Sequence, residues 1–338
     1  MKQYKAACYD LFTCTASRCP DTCCQEWDIQ VDPETAAFYE SLPGELGDRI
    51  RSSLHQEDGE TLITLKDNHC PMQDQSGLCS IQAALGEQAL CRVCREFPRL
   101  HHDYGSFLEL GLELSCPEAA RILLTTPYAP AIVSEEPGGS DPDYDREAME
   151  VLLSTREEAR RLLLKEDLPL SQRLALLFFY GCHAQQLLDG EEPSDFSPEA
   201  ALETARIMAK PGDLQALTGF FRELEILTPE WEALLTRACH PALSPFSQNL
   251  SLYLVNRYWL QAVSDYDLYC RVKFILISVI LLSSLPGDFI WNAHLFSKEI
   301  ENDIDNVDAI LDAAYENPIF TDDKLLGFLL GNRENQKL

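Results

Sequence analysis

Cysteine thiolates are soft ligands that select zinc, copper(I) and iron–sulfur clusters, and this chain crowds them together. Cys14, Cys19, Cys23 and Cys24 stand in the run CTASRCPDTCC. Cys70 and Cys79 bracket CPMQDQSGLC, Cys91 and Cys94 form CRVC, and Cys116 lies in SCPEAAR. Ten of the thirteen cysteines fall between Cys8 and Cys116, and only Cys182, Cys239 and Cys270 follow. A single cysteine reads as a small buried hydrophobe. Thiols at this density predict a multi-thiolate metal site, because loops carrying them can wrap one centre. A zinc ribbon prefers two clean CxxC pairs, and only Cys91 and Cys94 make one. Irregular gaps and the adjacent Cys23-Cys24 pair lean toward an iron–sulfur cluster, with zinc as the alternative. The radical-initiating CxxxCxxC pattern is not met: Cys19 and Cys23 satisfy the first gap, but position 26 is Glu26.

Other residues carry weaker signals. Cys116 is expected at the first position of a capped helix, where the dipole favours thiolate. His101 and His102 are able to bind metal or act as bases, since imidazole serves either role near neutral pH; a polar hydrogen-bonding element is the plainer reading. Tyr253, Arg257, Tyr258 and Asp265 share one helical region and are candidates to guide a cationic substrate; an amphipathic packing helix accounts for them equally. LPGELGD and EEPGGSD are turn sequences with no preceding strand, so no Rossmann-type domain is expected.

An ordered series of motifs carries a resemblance. FTCTASRCPDTCCQEWDI (Phe12–Ile29), NHCPM, GLCSIQAALGEQAL, CREFPRLHH and LELSCPEAARILL together resemble the flagellin lysine N-methylase family over roughly residues 4–125. The remainder matches only in helical character and length. The resemblance implies methyl transfer from S-adenosylmethionine to lysine side chains of flagellin, and an iron–sulfur cluster, 4Fe-4S in type. It carries the ligand role onto Cys14, Cys19, Cys23, Cys24, Cys70, Cys79, Cys94 and Cys116, and leaves Cys8 and Cys91 as additions to the pattern. Trp27, Pro98 and Arg99 stand where the family keeps such residues. Two other readings remain open: an iron–sulfur protein for electron transfer or metal handling, and a zinc-stabilised module that docks a basic partner.

The elements that must position these residues follow from periodicity and punctuation. The fold expected is mainly α, with a small α+β cysteine-rich module over residues 1–126, an acidic Pro/Gly linker over 127–144 and a helical domain over 145–338. In the module, Asp32-Pro33 starts a helix, Ser80–Ala89 suits a helix capped by Ser80, and Ser115 with Glu118 fits a capping box. Thr61–Lys66 and Phe107–Leu114 read as strands; in the second, leucines alternate with Glu109, Gly111 and Glu113. Beyond 145, helices are expected over Glu147–Lys165, Leu170–Leu188, Glu199–Ala209, Asp213–Ile226, Leu250–Val263, Leu268–Leu285 and Ile304–Tyr315.

A chain of 338 residues with 46% hydrophobic residues can bury a sizeable core. The run from Val272 to Leu285 is too short to span a bilayer, which takes about 20 residues, and reads as a core helix. With no signal-peptide pattern at MKQYKAACYDLF, the chain is expected to be soluble and cytoplasmic, where reduced thiols are the rule. Its 55 acidic and 27 basic residues give a net charge of −28. Nucleic acid is not an expected partner, because phosphate binding needs a basic surface. A lysine-bearing protein is attracted.

Overall fold

Short runs of strand formers build two sheets in the first 135 residues. The strands are β1 (Lys2–Lys5), β2 (Ile29–Val31), β3 (Leu54–Glu57), β4 (Glu60–Ile63), β5 (Arg99–Asp103), β6 (Phe107–Leu112) and β7 (Ile132–Glu135). The structure is a computed structural model and describes residues 1–25, 29–57 and 59–331. One sheet has the order β5-β6-β1-β7, with β1 parallel to β6 and antiparallel to β7; the other is antiparallel, ordered β2-β4-β3. The rest of the described chain is mainly helical.

β7 lies inside the segment expected as a linker. Its Ile132 and Val133 are β-branched and pair with Lys5 and Tyr4 across the sheet, so local strand propensity prevails over the surrounding Pro, Gly and acid.

Capping in the cysteine module is partly as expected. Asp32 accepts a hydrogen bond from Thr35 N–H at 3.0 Å and starts the helix Pro33–Ser41. Two expected caps differ. Ser80 is the first helical residue of Ser80–Leu85, with Cys79 at the cap. Gly86, at φ +86°, ends that helix early because this backbone region suits glycine. Ser115 does not cap Pro117–Thr125; Cys116 occupies the cap position. Glu118 instead forms two hydrogen bonds to Arg121, 2.8 and 2.6 Å long.

The long helices follow the periodic segments: Arg146–Leu163, Leu170–Leu188, Pro198–Met208, Leu214–Glu223, Pro245–Tyr258, Leu268–Ser284 and Ile304–Glu316. Leu268–Ser284 is the centre of the helical core, with every residue but Tyr269 buried. Arg271 and Lys273 at its start pair with Asp265 and Asp322. Gly181 lets the Leu170–Leu188 helix approach it, since a Cβ there would stand 2.6 Å from Val272. Four further elements lack a readable period: Pro229–Thr236, Phe289–Phe296, a π-helical turn at Ser297–Glu301, and Asp322–Leu330. They are short, and FIWNAHLF is apolar on nearly every side. Among the described residues no helix is long and apolar enough to cross a membrane.

The core has three parts. The largest unites the helices with Phe107, Leu114, Ala120 and Leu124. A second gathers Ile29, Val31, Tyr39, Ile50, Ile63 and Met72 around Cys70 and Cys91. A third joins Phe12, Leu112, Ala119 and Ile122 to Cys116. Residues 107–124 therefore pack on the helical body and carry Cys116, whereas Cys70 and Cys91 lie in the second core.

Candidate metal centre and adjoining cleft

Local turns bring the cysteine loops together. Asp67 and Asn68 both adopt positive φ, 51° and 66°, in the left-handed region that Asn and Asp tolerate. The chain then reverses, and Cys70 N–H donates to the Cys24 carbonyl at 2.7 Å. Asp74 turns the next loop by accepting from Ser76 and Leu78 N–H, which brings Gln73 beside Cys79. Asp32, besides capping its own helix, accepts from Arg92 N–H at 2.9 Å. The buried Tyr39 hydroxyl donates to the Ala89 carbonyl at 2.8 Å. These two contacts hold the Cys91–Cys94 turn against the Pro33–Ser41 helix.

The described thiols fall into two sets by mutual electrostatic reach. In the first, Cys23 responds to Cys14 and Cys116, and Cys116 responds to Cys19 and Cys14. In the second, Cys70 responds to Cys24, Cys79 and Cys91, Cys79 to Cys24 and Cys91, and Cys94 to Cys91, Cys24 and also Cys23 of the first set. The sets meet where Cys23 and Cys24 hydrogen-bond to each other. All eight cysteines carried over from the sequence motifs fall in these sets. Cys91, set aside on the motif pattern, is buried and hydrogen-bonds Cys94 inside the second set. Cys8 stands outside both and lines a cleft. Trp27 lies outside the described residues.

Cys79, Cys91 and Cys116 each occupy the cap position of a helix, where backbone N–H groups favour negative sulfur. Burial opposes this. It pushes the Cys116 thiol up to about 11, although the Ala119 and Glu118 N–H groups pull it down. The expectation of a lowered Cys116 is thus reversed by desolvation. Cys24 moves the other way, lowered to about 7 chiefly by its hydrogen bond from Cys23, against the effect of burial. Among the described residues no three His, Cys, Asp or Glu side chains are grouped to hold a single ion.

A cleft of about 160 Å³, open at its mouth, adjoins the first set. Leu112 and Leu123 line it and also pack in the small core that contains Cys116. β1 contributes Tyr4, β5 His102 and β6 Glu109; the segment after Thr125 adds Tyr128; the helices add Arg160, Asn249, Tyr253, Asn256 and Arg257. Glu109 accepts a two-pronged ion pair from the buried Arg156, at 2.9 and 2.5 Å. Arg160 Nε donates to Asn256 Oδ1 at 2.7 Å. Behind the cleft, Glu301 is wholly buried and meets Arg257 Nε at 3.1 Å. Its oxygens also accept from the hydroxyls of Tyr253 and Tyr258 at 3.1 to 3.2 Å. Burial, aided by the charge of Arg257, holds the His102 imidazole below its usual value of 6.5. His102 is therefore neutral near pH 7 and able to take a proton. His101 points elsewhere, 3.2 Å from the Tyr9 hydroxyl.

Comparison with known proteins adds to this geometry. The chain is 33% identical over 135 residues to the flagellar biosynthetic protein FliU of Salmonella muenchen, covering 36% of this chain and 76% of that protein. The chain belongs to the flagellin lysine N-methylase family. It is also 33% identical over 130 residues to lysine-N-methylases of Salmonella typhimurium and Salmonella choleraesuis. Those matches cover 36% of this chain and 32%, about a third, of each relative's length. No family model and no solved structure matches the chain.

Of the four residues singled out on the Pro245–Val263 region and beyond, Tyr253 and Arg257 line the family member's cleft and Tyr258 backs it. Asp265 does not join them; it pairs with Arg271. Sequence reasoning missed Glu109, Arg156, Arg160, Asn256 and Glu301. The one available signal was the alternation of Glu109, Gly111 and Glu113 with leucines from Leu108 to Leu114, the pattern of a solvated face. That face is covered instead: Glu109 meets Arg156, and burial pushes the Glu113 carboxyl up.

Proposed function

We propose that this protein is an S-adenosylmethionine-dependent lysine N-methyltransferase acting on flagellin, with an iron–sulfur cluster held by the thiol sets. The family relationship supports the activity. The observation that carries the reading to this chain is a neutral, desolvated His102 in a cleft that shares Leu112 and Leu123 with the core around Cys116. Methyl transfer needs lysine as a free amine. The guanidinium groups of Arg160 and Arg257 line the same cleft, and desolvation between its walls disfavours an ammonium there. His102 is placed to carry the released proton, while Tyr4, Leu110 and Tyr128 give the cleft apolar walls. The donor supplies a methyl carbon on a cationic sulfur: the new N–C bond forms as the C–S bond breaks, and the electron pair stays on sulfur.

The donor chemistry of the thiol sets suits an iron–sulfur cluster, whose thiolates bind separate irons. A cluster takes four thiolates, so either set would supply one full ligand shell: Cys14, Cys19, Cys23 and Cys116, or Cys24, Cys70, Cys79 and Cys94 with Cys91 beside them. Such a cluster would cross-link the cysteine loops. Cys14 and Cys23 are exposed, which also supports a second reading, electron transfer to a partner.

Mass spectrometry of flagellin incubated with the iron-loaded protein and S-adenosylmethionine tests the proposal. Lysine residues heavier by whole methyl groups are expected. Unchanged flagellin with the cluster intact overturns the methylase reading and leaves electron transfer.

A further inference from the structure

We propose that the cleft holds the amino-acid end of the methyl donor, with Arg257 as the residue that binds its carboxylate. This rests on the methyltransferase reading and names a binding residue for it.

Arg257 is anchored from behind. Its Nε pairs with the wholly buried Glu301, which two tyrosine hydroxyls also hold. The guanidinium plane is thereby fixed. Its Nη1 is buried and has no hydrogen-bond acceptor among the described residues. A buried charged donor without an acceptor is costly, and a planar fork with one edge anchored suits a carboxylate on another edge. Arg257 lines the cleft, where a ligand can provide that acceptor.

The surrounding charges are paired. Glu109, the carboxylate lining the cleft, is already engaged by both terminal nitrogens of Arg156. Arg160 adds a second guanidinium, steadied by Asn256 and by Glu157 at 3.0 Å. Each guanidinium here thus has a carboxylate partner: Arg156 has Glu109, Arg160 has Glu157 and Arg257 has Glu301. Apolar walls at Tyr4 and Tyr128 suit the uncharged remainder of the ligand.

Calorimetric titration of the iron-loaded protein with two probes tests the assignment. S-adenosylhomocysteine keeps the amino-acid end, and methylthioadenosine lacks it. The first is expected to bind at least about tenfold more tightly, the scale of one charge-assisted hydrogen bond. Arg257→Lys retains the charge beside Glu301 but not the fork. It is expected to weaken S-adenosylhomocysteine about tenfold and leave methylthioadenosine unchanged. Equal affinity for the two probes, binding of neither, or an Arg257→Lys protein that binds S-adenosylhomocysteine like the parent overturns the subsite. Flagellin methylation with no discrimination between probes removes the subsite alone. Discrimination without methylation of flagellin removes the functional reading alone.

Discussion

Asp21 Oδ2 lies 2.8 Å from Nε2 of His294, a residue only 1% exposed. The contact joins the loop between Cys19 and Cys23 to the Phe289–Phe296 helix. Lys298 Nζ donates to the same oxygen at 2.9 Å. Burial works against the charge of Asp21, but the hydrogen bonds from His294 and Lys298 prevail and hold the carboxyl well below its usual range. A depressed carboxyl contributes stability above its unfolded value of 3.8, and that stability is lost as pH falls below it. Asp21→Asn keeps the shape and removes the charge. A loss of about 2 kcal/mol in unfolding free energy is expected near neutral pH, measured by urea denaturation. An unchanged midpoint would mean that the first cysteine loop docks without this contact.

The thiol sets make a prediction about which cysteines matter. If Cys23 and Cys24 join the two sets, replacing both with serine removes most bound iron from anaerobically purified protein. Cys91→Ser is expected to lower iron as Cys94→Ser does, because the two thiols are hydrogen-bonded within one set. Cys182→Ser and Cys239→Ser, in the helical body, are expected to keep it. Iron and acid-labile sulfide assays, with absorbance near about 400 nm, report the outcome. Full iron in Cys91→Ser would return that residue to a packing role.

His102 sets a pH dependence. Its folded value is depressed, so protonation disfavours the folded state. The histidine's contribution is complete above the unfolded value of 6.5 and is lost as pH falls below it. The rate of methyl transfer is expected to be level above about pH 7 and to fall on the acid side, as the base becomes protonated. His102→Gln removes the base and is expected to lower the rate about a hundredfold or more. Initial rates with flagellin, measured across the acid range in both proteins, check this. An acid limb that persists in His102→Gln belongs to another group.

The residues that were legible in the sequence announce themselves by spacing. The cysteines form dense runs, and the amphipathic helices repeat their apolar positions. Asp32-Pro33 marks a helix start that the structure keeps. What was not legible depends on distant partners. Glu109 and Glu113 alternate with leucines as a solvated strand face does, yet Arg156 and Arg257 approach them from helices that follow β6 in the chain. Cys91 looked like an addition because motif order carries no record of burial. The Ser297–Glu301 turn has no period at all. Its role comes from three side chains facing three ways: Lys298 to Asp21, Glu299 to the Leu227 and Thr228 N–H groups, and Glu301 to Arg257.

That turn puts the cysteine loop and the cleft on one short element, and its energetics can be measured at Glu301. The carboxylate is 0% exposed and meets one guanidinium and two phenols. Tyr253→Phe deletes one of these donors and leaves the charge pair, so a loss of about 1 kcal/mol is expected. Glu301→Gln leaves Arg257 charged and without its carboxylate, which costs about 3 to 5 kcal/mol when a buried pair loses one partner. The ordering is the test, read from urea unfolding of the two variants beside the parent. A Glu301→Gln loss no larger than that of Tyr253→Phe would mean that the charge of Arg257 is balanced from the cleft side and not from behind. The larger loss, with S-adenosylhomocysteine affinity reduced as well, ties the buried carboxylate to the orientation of the guanidinium it holds.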